Sequence, residues 1–170
     1  MAEMASAEIA VLFVCLGNIC RSPTAHGVFE KLVAEQGLNQ QIRIDSAGTG
    51  DWHLGKQPDP RTLLAGRQRG YNFSHLRARQ VTVIDFNQFD YILAMDGKNL
   101  ENLQQLQPRH FTGRLSLFLP FGQGSINEVP DPYAGGSEGF EQVLDMVELA
   151  AEGLLAHLRA ELLNDSVSSE

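Results

Sequence analysis

The chain has 170 residues, with 13 Lys or Arg against 21 Asp or Glu, so its formal net charge is −8. This length fits one domain of about 100–200 residues, which we expect at 1–163, followed by a polar tail at 164–170. The acidic balance argues against nucleic-acid and anionic-membrane partners, which need a basic excess, and no apolar run approaches the ~20 residues of a membrane span.

Predicted strands and helices alternate along the chain. The N-terminal segment MAEMASAEIA contains no Lys or Arg, so we expect no secretory signal and a cytoplasmic protein. Apolar, β-branched runs predict four strands, at 9–14, 42–47, 91–95 and 115–119. Cap residues and apolar periodicity predict helices that begin at Ser22-Pro23, Asp59-Pro60 and Asp96, and a last one over 140–162. We therefore expect an α/β fold, a small four-stranded parallel sheet with helices on both faces and its ligand beyond the carboxyl ends of the strands.

The segment after the first strand has the features of an oxyanion site. Cys15 ends the strand, Arg21 follows six residues later, and Ser22 opens the helix. The backbone N–H groups of the loop between them can form an anion nest, to which the helix N-terminus adds positive charge. That loop comprises Leu16, Gly17, Asn18, Ile19 and Cys20. The Arg21 fork matches two oxygens of a tetrahedral anion, and a thiol in such surroundings is held as a thiolate, to which Ser22 can donate. The pattern indicates nucleophilic attack on a phosphoryl group.

The same residues have other possible interpretations. A cysteine at the end of a core strand is often a packing residue, and only its combination with the loop and Arg21 favours chemistry for Cys15. The nucleotide-binding pattern G-x-x-x-x-G-K-[ST] is absent from the sequence. A zinc site built from Cys15, Cys20 and His26 lacks a fourth ligand at a suitable spacing. We therefore expect neither a metal nor a cofactor.

The segment VLFVCLGNICRSPTAHGVF resembles the N-terminal region of the low-molecular-weight protein tyrosine phosphatases. The resemblance continues, in the same order, through DSAGTGDWHLG, DPR, SHLRARQ, FDYILAMD and DPY, and so covers nearly the whole chain. It implies a protein tyrosine phosphatase that hydrolyses phosphotyrosine through a phosphocysteine intermediate, without a cofactor. Phosphotyrosine-containing proteins are the implied partners, and inorganic phosphate and vanadate are the implied inhibitors.

The resemblance also implies catalytic roles. Cys15 would be the nucleophile, and Arg21 would clamp the phosphoryl oxygens. Asp131 would protonate the leaving phenolate and then activate water; the alternative for Asp131 is a simple Asp-Pro turn. Trp52 and Tyr133 are the expected walls of an aryl-binding cleft.

Supporting roles follow from the same resemblance. Asn18, together with Ser22, Ser46 and His75, would hold the loop in its inward-facing shape. For His75 we nevertheless favour the ordinary role of a structural histidine. Asp96 is interpreted as a helix cap, and we expect no catalytic role for it.

The two cysteines form a predicted redox pair. An accessible thiolate at Cys15 is readily oxidised, and a loop curled around an anion can bring Cys20 within disulfide distance. The family resemblance supports the same pairing. The alternative is that Cys20 only fills space behind the loop.

Two other functions remain as alternatives to the phosphatase. An arsenate reductase resembles this fold, but the thioredoxin-coupled type uses additional downstream cysteines, and this chain has none after Cys20. A glutathione-dependent reductase stays open. A non-catalytic phosphotyrosine-binding module would need neither Cys15 nor Asp131.

Overall fold

A computed structural model describes residues 8–133 and 135–168. The N-terminal segment, in which we expect no secretory signal, lies largely outside these residues. The four strands are β1 Ile9–Cys15, β2 Ile42–Gly48, β3 Tyr91–Ala94 and β4 Arg114–Leu117. They form one sheet in the order β2-β1-β3-β4, with every neighbouring pair parallel. The predicted small parallel sheet is confirmed.

Helices cover both faces of this sheet. They are α1 Arg21–Glu35, α2 Pro60–Gln68, α3 Asp85–Gln88, α4 Gly97–Leu106 and α5 Ser137–Ser168. Alternate residues of β1 belong to two separate apolar clusters, as expected where successive side chains of a strand point to opposite faces. Val11 and Phe13 pack with α1 and α5, whereas Leu12 and Val14 pack with α3 and α4. Burial on both faces explains why β1 is a continuous apolar run.

Two helix starts agree with the predicted caps, and one does not. The Asp59 side chain accepts from the Arg61 N–H, and Asp96 forms a capping box with Asn99. Helix α1 instead begins at Arg21, and the expected cap, Ser22, lies inside it. The reason is competition, because the Ser22 hydroxyl bonds to the side chains of Cys15 and Asn18.

Two boundaries on the carboxyl-terminal side also differ from expectation. Strand β4 ends at Leu117, and the chain turns into a short 3-10 helix, Leu119–Gly122. Pro120 lies in the first turn of that helix, and a proline has no N–H with which to continue a ladder. Helix α5 continues past the predicted tail boundary to Ser168, whereas the assignment of 1–163 as the domain stays a prediction. Among the described residues, no helix is long and apolar enough to cross a membrane.

Candidate active site

The carboxyl end of β1, the loop after β2 and the loop after β4 meet around one cavity of about 240 Å³. Parallel strands deliver their ends to the same edge, which is why residues distant in sequence converge there. The cavity is lined by Cys15, Leu16, Gly17, Ile19, Cys20, Arg21, Trp52, His53, Asp131 and Tyr133. Both predicted chemical groups, the Cys15 thiol and the Asp131 carboxyl, therefore lie in the same cavity.

The loop that follows β1, residues 16–20, is called the anion loop below. Asn18 lies in the left-handed region with φ 58°, a conformation that asparagine tolerates better than most residues. Its side-chain amide donates to Ser22 Oγ at 2.7 Å and accepts from the Arg79 N–H at 2.9 Å. Both ends of this buried amide are thus satisfied, and together they fix the bend of the loop.

Several carbonyl groups of the anion loop accept hydrogen bonds from backbone outside the loop. Leu16 O accepts from the Gly50 N–H at 2.9 Å, and Ile19 O accepts from the Asp59 N–H at 2.9 Å. Within the described chain, no backbone carbonyl accepts from the N–H groups of Gly17, Ile19 or Cys20. A loop in which several carbonyls are bound elsewhere and three N–H groups have no backbone acceptor has the character of an anion nest.

The Cys15 sulfur lies at the centre of this loop. The N–H groups of Asn18 and Ser22 donate to Cys15 Sγ at 3.3 and 3.4 Å, and Ser22 Oγ lies 3.1 Å away. Each of these three groups can donate a hydrogen bond to the sulfur. Cys20 is in a different environment, because burial raises the pKa of its thiol to about 12. Both thiols are free, and Cys20 stays protonated at neutral pH.

Arg21 is buried and held from two directions. Its Nη1 donates to Asp96 Oδ2 at 2.6 Å and to Val129 O at 3.0 Å. Its Nη2 lies 3.7 Å from Asp131 Oδ2. Burial opposes the charge on the guanidinium, but electrostatic interactions with Cys15 and Asp96 outweigh this effect and raise the pKa of Arg21. Arg21 therefore stays cationic beside the sulfur.

Asp96 is the residue whose importance the sequence interpretation missed. It was expected to be a helix cap only, and it does cap α4 through Oδ1, while Oδ2 binds Arg21. One signal was available, since Asp96 follows β3 just as Cys15 ends β1, which places both at the same edge of the sheet. The single carboxylate thus serves the helix and the site together.

Aromatic side chains form the mouth of the cavity. Trp52 and Tyr133 are both exposed, at 66 % and 50 %, and both contribute to its lining. Their predicted position at the mouth agrees with the structure. His53 was not predicted; it lines the same cavity, and its ring centroid lies 6.3 Å from that of Tyr133.

The expected supporting contact of His75 is wrong. Its Nε2 lies 3.2 Å from Glu30 Oε1 on the outer side of α1, in agreement with the structural role favoured for it. The histidine that reaches a supporting residue is His26, whose Nδ1 lies 2.9 Å from Ser46 Oγ. His26 follows Ser22 by one helical turn, so both side chains of α1 face β2. Ser46 therefore supports the loop indirectly, through α1.

This arrangement suits one kind of chemistry. A sulfur surrounded by N–H donors and a buried guanidinium can bind a tetrahedral anion and attack its central atom. A half-exposed carboxyl at the mouth, that of Asp131, can exchange a proton with the leaving group or with water.

Known proteins are similar to this sequence over most of its length. Residues 10–164 match the family model described as low molecular weight phosphotyrosine protein phosphatase. A low molecular weight phosphotyrosine protein phosphatase of Schizosaccharomyces pombe is 48 % identical over 135 residues, covering 78 % of this chain and 86 % of its own. The human protein of the same description is 42 % identical over 145 residues, covering 84 % of this chain and 90 % of its own.

Solved structures agree with the sequence matches. A protein tyrosine phosphatase from Entamoeba histolytica superimposes with a TM-score of 0.86 at 40 % identity, covering 91 % of this chain and 99 % of its own. Vibrio vulnificus Wzb in complex with benzylphosphonate superimposes with a TM-score of 0.74 at 28 % identity, covering 86 % of this chain and 96 % of its own.

Proposed function

Since this chain belongs to the low molecular weight phosphotyrosine protein phosphatase family and is a protein tyrosine phosphatase, we propose that it acts through a phosphocysteine at Cys15, with Asp131 as general acid. The observation that carries the proposal is the Cys15 sulfur, which receives two backbone N–H groups at 3.3 and 3.4 Å in the cavity that Asp131 also lines. The matched family and these relatives are phosphatases, so the arsenate reductase alternative gains no support.

The proposed reaction has two displacements. In the first, the Cys15 thiolate attacks phosphorus, the P–O bond to the tyrosine breaks, and Asp131 gives its proton to the departing phenolate oxygen. In the second, the Asp131 carboxylate takes a proton from water, which attacks phosphorus and breaks the P–S bond. Inorganic phosphate leaves, and the thiolate at Cys15 and the acid at Asp131 are restored.

Arg21 and the anion loop supply the charge stabilisation in both displacements. Phosphoryl transfer depends mainly on positioning and on stabilising charge on the three equatorial oxygens. The cationic Arg21 presents a planar fork to two of these oxygens, and the loop N–H groups face the anion from below. Inorganic phosphate and vanadate share this tetrahedral or near-tetrahedral oxyanion chemistry, so we propose that both inhibit.

The aromatic mouth accounts for substrate preference. A phenyl ring between Trp52 and Tyr133 gains about 0.5–1.5 kcal/mol per aromatic pair beyond simple burial. Wzb, with which this chain shares its fold, was solved with an aryl-bearing phosphonate. We propose phosphotyrosine proteins as substrates in preference to phosphoserine proteins, whose shorter side chain does not carry a ring to this mouth. A catalytic thiol also suits a reducing compartment, and we propose the cytoplasm.

Cys15 and Cys20 are proposed to form a reversible disulfide. Peroxide oxidises the Cys15 thiolate to a sulfenic acid, and Cys20 as thiolate then attacks this sulfur, releasing hydroxide. A thiol reductant supplies the two electrons that restore both thiols. The protonated state of Cys20 makes the second step slow at neutral pH.

The general acid is tested by leaving-group dependence. We expect Asp131→Ala to lower kcat/KM by about 10²–10⁴-fold for a phosphotyrosine peptide. The loss should shrink for p-nitrophenyl phosphate, whose phenolate leaves readily without a proton. Asp51→Ala removes an exposed carboxylate outside the cavity lining and is the matched control. Equal losses on both substrates would mean that Asp131 has only a structural role in the Asp-Pro turn, and would overturn its proposed role as general acid.

A further inference from the structure

Arg61, in the first turn of α2, reaches across to the loop that carries Asp131. One edge of its guanidinium binds Asp59, with Nε donating to Oδ1 at 3.1 Å and Nη2 to Oδ2 at 3.0 Å. The other bonds go to backbone: Nη2 donates to Tyr133 O at 2.7 Å and Nη1 to Gly135 O at 3.1 Å. The guanidinium carbon also lies 5.5 Å from the centre of the Tyr133 ring. One side chain therefore joins α2 to two backbone carbonyls of another loop.

These contacts reach Asp131 through a single residue, Tyr133. The Tyr133 N–H donates to Asp131 Oδ1 at 3.1 Å, so the residue whose carbonyl Arg61 holds also holds the acid's carboxyl. On the other side of Asp131, Val129 is fixed separately, with its N–H bonded to Met95 O at 2.8 Å. Arg61 thus supplies the restraint on the downstream side of the acid.

The same unit is tied to the anion loop. The Asp59 N–H donates to Ile19 O at 2.9 Å, and the Asp59 side chain holds Arg61. Burial opposes the charge on Asp59, but its hydrogen bonds with Arg61 outweigh this and lower the pKa of the carboxyl. The charged pair therefore persists across neutral pH. Ile19, Asp59, Arg61 and Tyr133 form one connected path between the nucleophile's loop and the acid's loop.

We propose that Arg61 is a positioning residue for the general acid, holding the backbone of Tyr133 so that Asp131 faces the leaving oxygen. The inference rests on the proposed role of Asp131. Arginine suits this task because its planar fork binds a carboxylate and two carbonyls at once, whereas the point charge of a lysine cannot span them. Arg61 itself lines no part of the cavity and touches no reacting atom.

The test separates positioning from general stability by comparing leaving groups. We expect Arg61→Ala to lower kcat/KM for a phosphotyrosine peptide by about tenfold, because small misplacements of a catalytic group are costly. For p-nitrophenyl phosphate, which needs little protonation, the loss should stay below about threefold. Arg61→Lys should behave like Arg61→Ala. Arg67→Ala, which removes an exposed arginine from the same helix, should leave both substrates unchanged.

A double-mutant cycle then assigns the effect to Asp131. In an Asp131→Ala background, Arg61→Ala should cost less than about twofold on the phosphotyrosine peptide, because there is no acid left to position. An equal loss on both substrates, or a full tenfold loss in that background, would overturn the positioning role. If Asp131 is not the general acid, the result differs: Asp131→Ala itself then loses kcat/KM equally on the phosphotyrosine peptide and on p-nitrophenyl phosphate. Asp59→Asn keeps an acceptor for the helix cap but weakens the hold on Arg61. It should show the same larger loss on the phosphotyrosine peptide than on p-nitrophenyl phosphate, and it replaces Arg61→Ala in the test if that variant does not fold.

Discussion

Gly48 is the position at which one added methyl group tests how firmly the anion loop is held. A Cβ on Gly48 would lie 2.7 Å from the Leu16 carbonyl oxygen and 3.1 Å from the Gly17 carbonyl carbon. Gly48 has no room to retreat, because its N–H donates to Arg79 O and its carbonyl accepts from the Val81 N–H, both at 2.8 Å. The loop must therefore move instead of the strand.

The size of the effect follows from these distances. Relieving the contact requires Gly48→Ala to shift the loop by about half an ångström towards ordinary van der Waals separation. Since a misplacement of about 1 Å costs about a hundredfold in rate, we expect a loss of about tenfold in kcat/KM. Overpacking should also lower the free energy of unfolding by about 1–3 kcal/mol.

The assay combines kcat/KM for a phosphotyrosine peptide with the Tm shift produced by inorganic phosphate. Both should fall together, because the same loop binds the substrate phosphoryl group and free phosphate. Gly124→Ala is the matched control, since a Cβ there meets only Leu149 Cδ2, at 3.9 Å. A Gly48→Ala protein that keeps wild-type kcat/KM and phosphate affinity would show that the anion loop is not held rigidly against Gly48.

Three further results are expected. Asp96→Asn keeps the helix cap but removes the charge that faces Arg21. Because hydrogen bonds between charged groups contribute about 1.5–3 kcal/mol, kcat/KM should fall about tenfold to a hundredfold. Unchanged kinetics would show that the ion pair does not contribute to catalysis. Trp52→Ala should lower kcat/KM about two- to tenfold for a phosphotyrosine peptide and less for an alkyl phosphate, whereas equal losses would contradict an aryl-binding mouth. After a peroxide pulse, formation of the Cys15–Cys20 disulfide should accelerate about tenfold per pH unit between pH 7 and 9, because the pKa of Cys20 is raised to about 12 and its thiolate fraction rises with pH. Mass mapping measures formation of the disulfide. The control, Cys20→Ser, should no longer recover activity when a thiol reductant is added. A rate that does not depend on pH would contradict attack by Cys20.

The features predicted well from sequence are those with local signals. The apolar run of β1, the Asp59-Pro60 cap and the periodicity of α5 each depend on neighbouring residues, and each predicted element is present. The clustering of Cys15 with Asp131 followed from a general property of parallel sheets. Such inferences need no knowledge of side-chain contacts.

The errors arise where the fold gives a side chain a partner that the local sequence pattern does not indicate. Ser22 carries a good cap signal, but the Cys15 sulfur and the Asn18 amide occupy its hydroxyl. His75 lies in a motif of the right composition, yet its ring pairs with Glu30 on the outside of α1. The ion pair between Arg21 and Asp96 joins residues 75 positions apart, so no local sequence pattern predicts it.

Trapping the covalent intermediate shows whether Cys15 is the nucleophile. A rapid denaturing quench during turnover of p-nitrophenyl phosphate, followed by mass mapping, should find one phosphate on Cys15, since its easily lost phenolate favours accumulation of the intermediate. Cys15→Ser should show no turnover while still binding phosphate through Arg21 and the loop. Phosphate recovered on another residue, turnover with no protein-bound phosphate, or appreciable hydrolysis by Cys15→Ser would contradict the account.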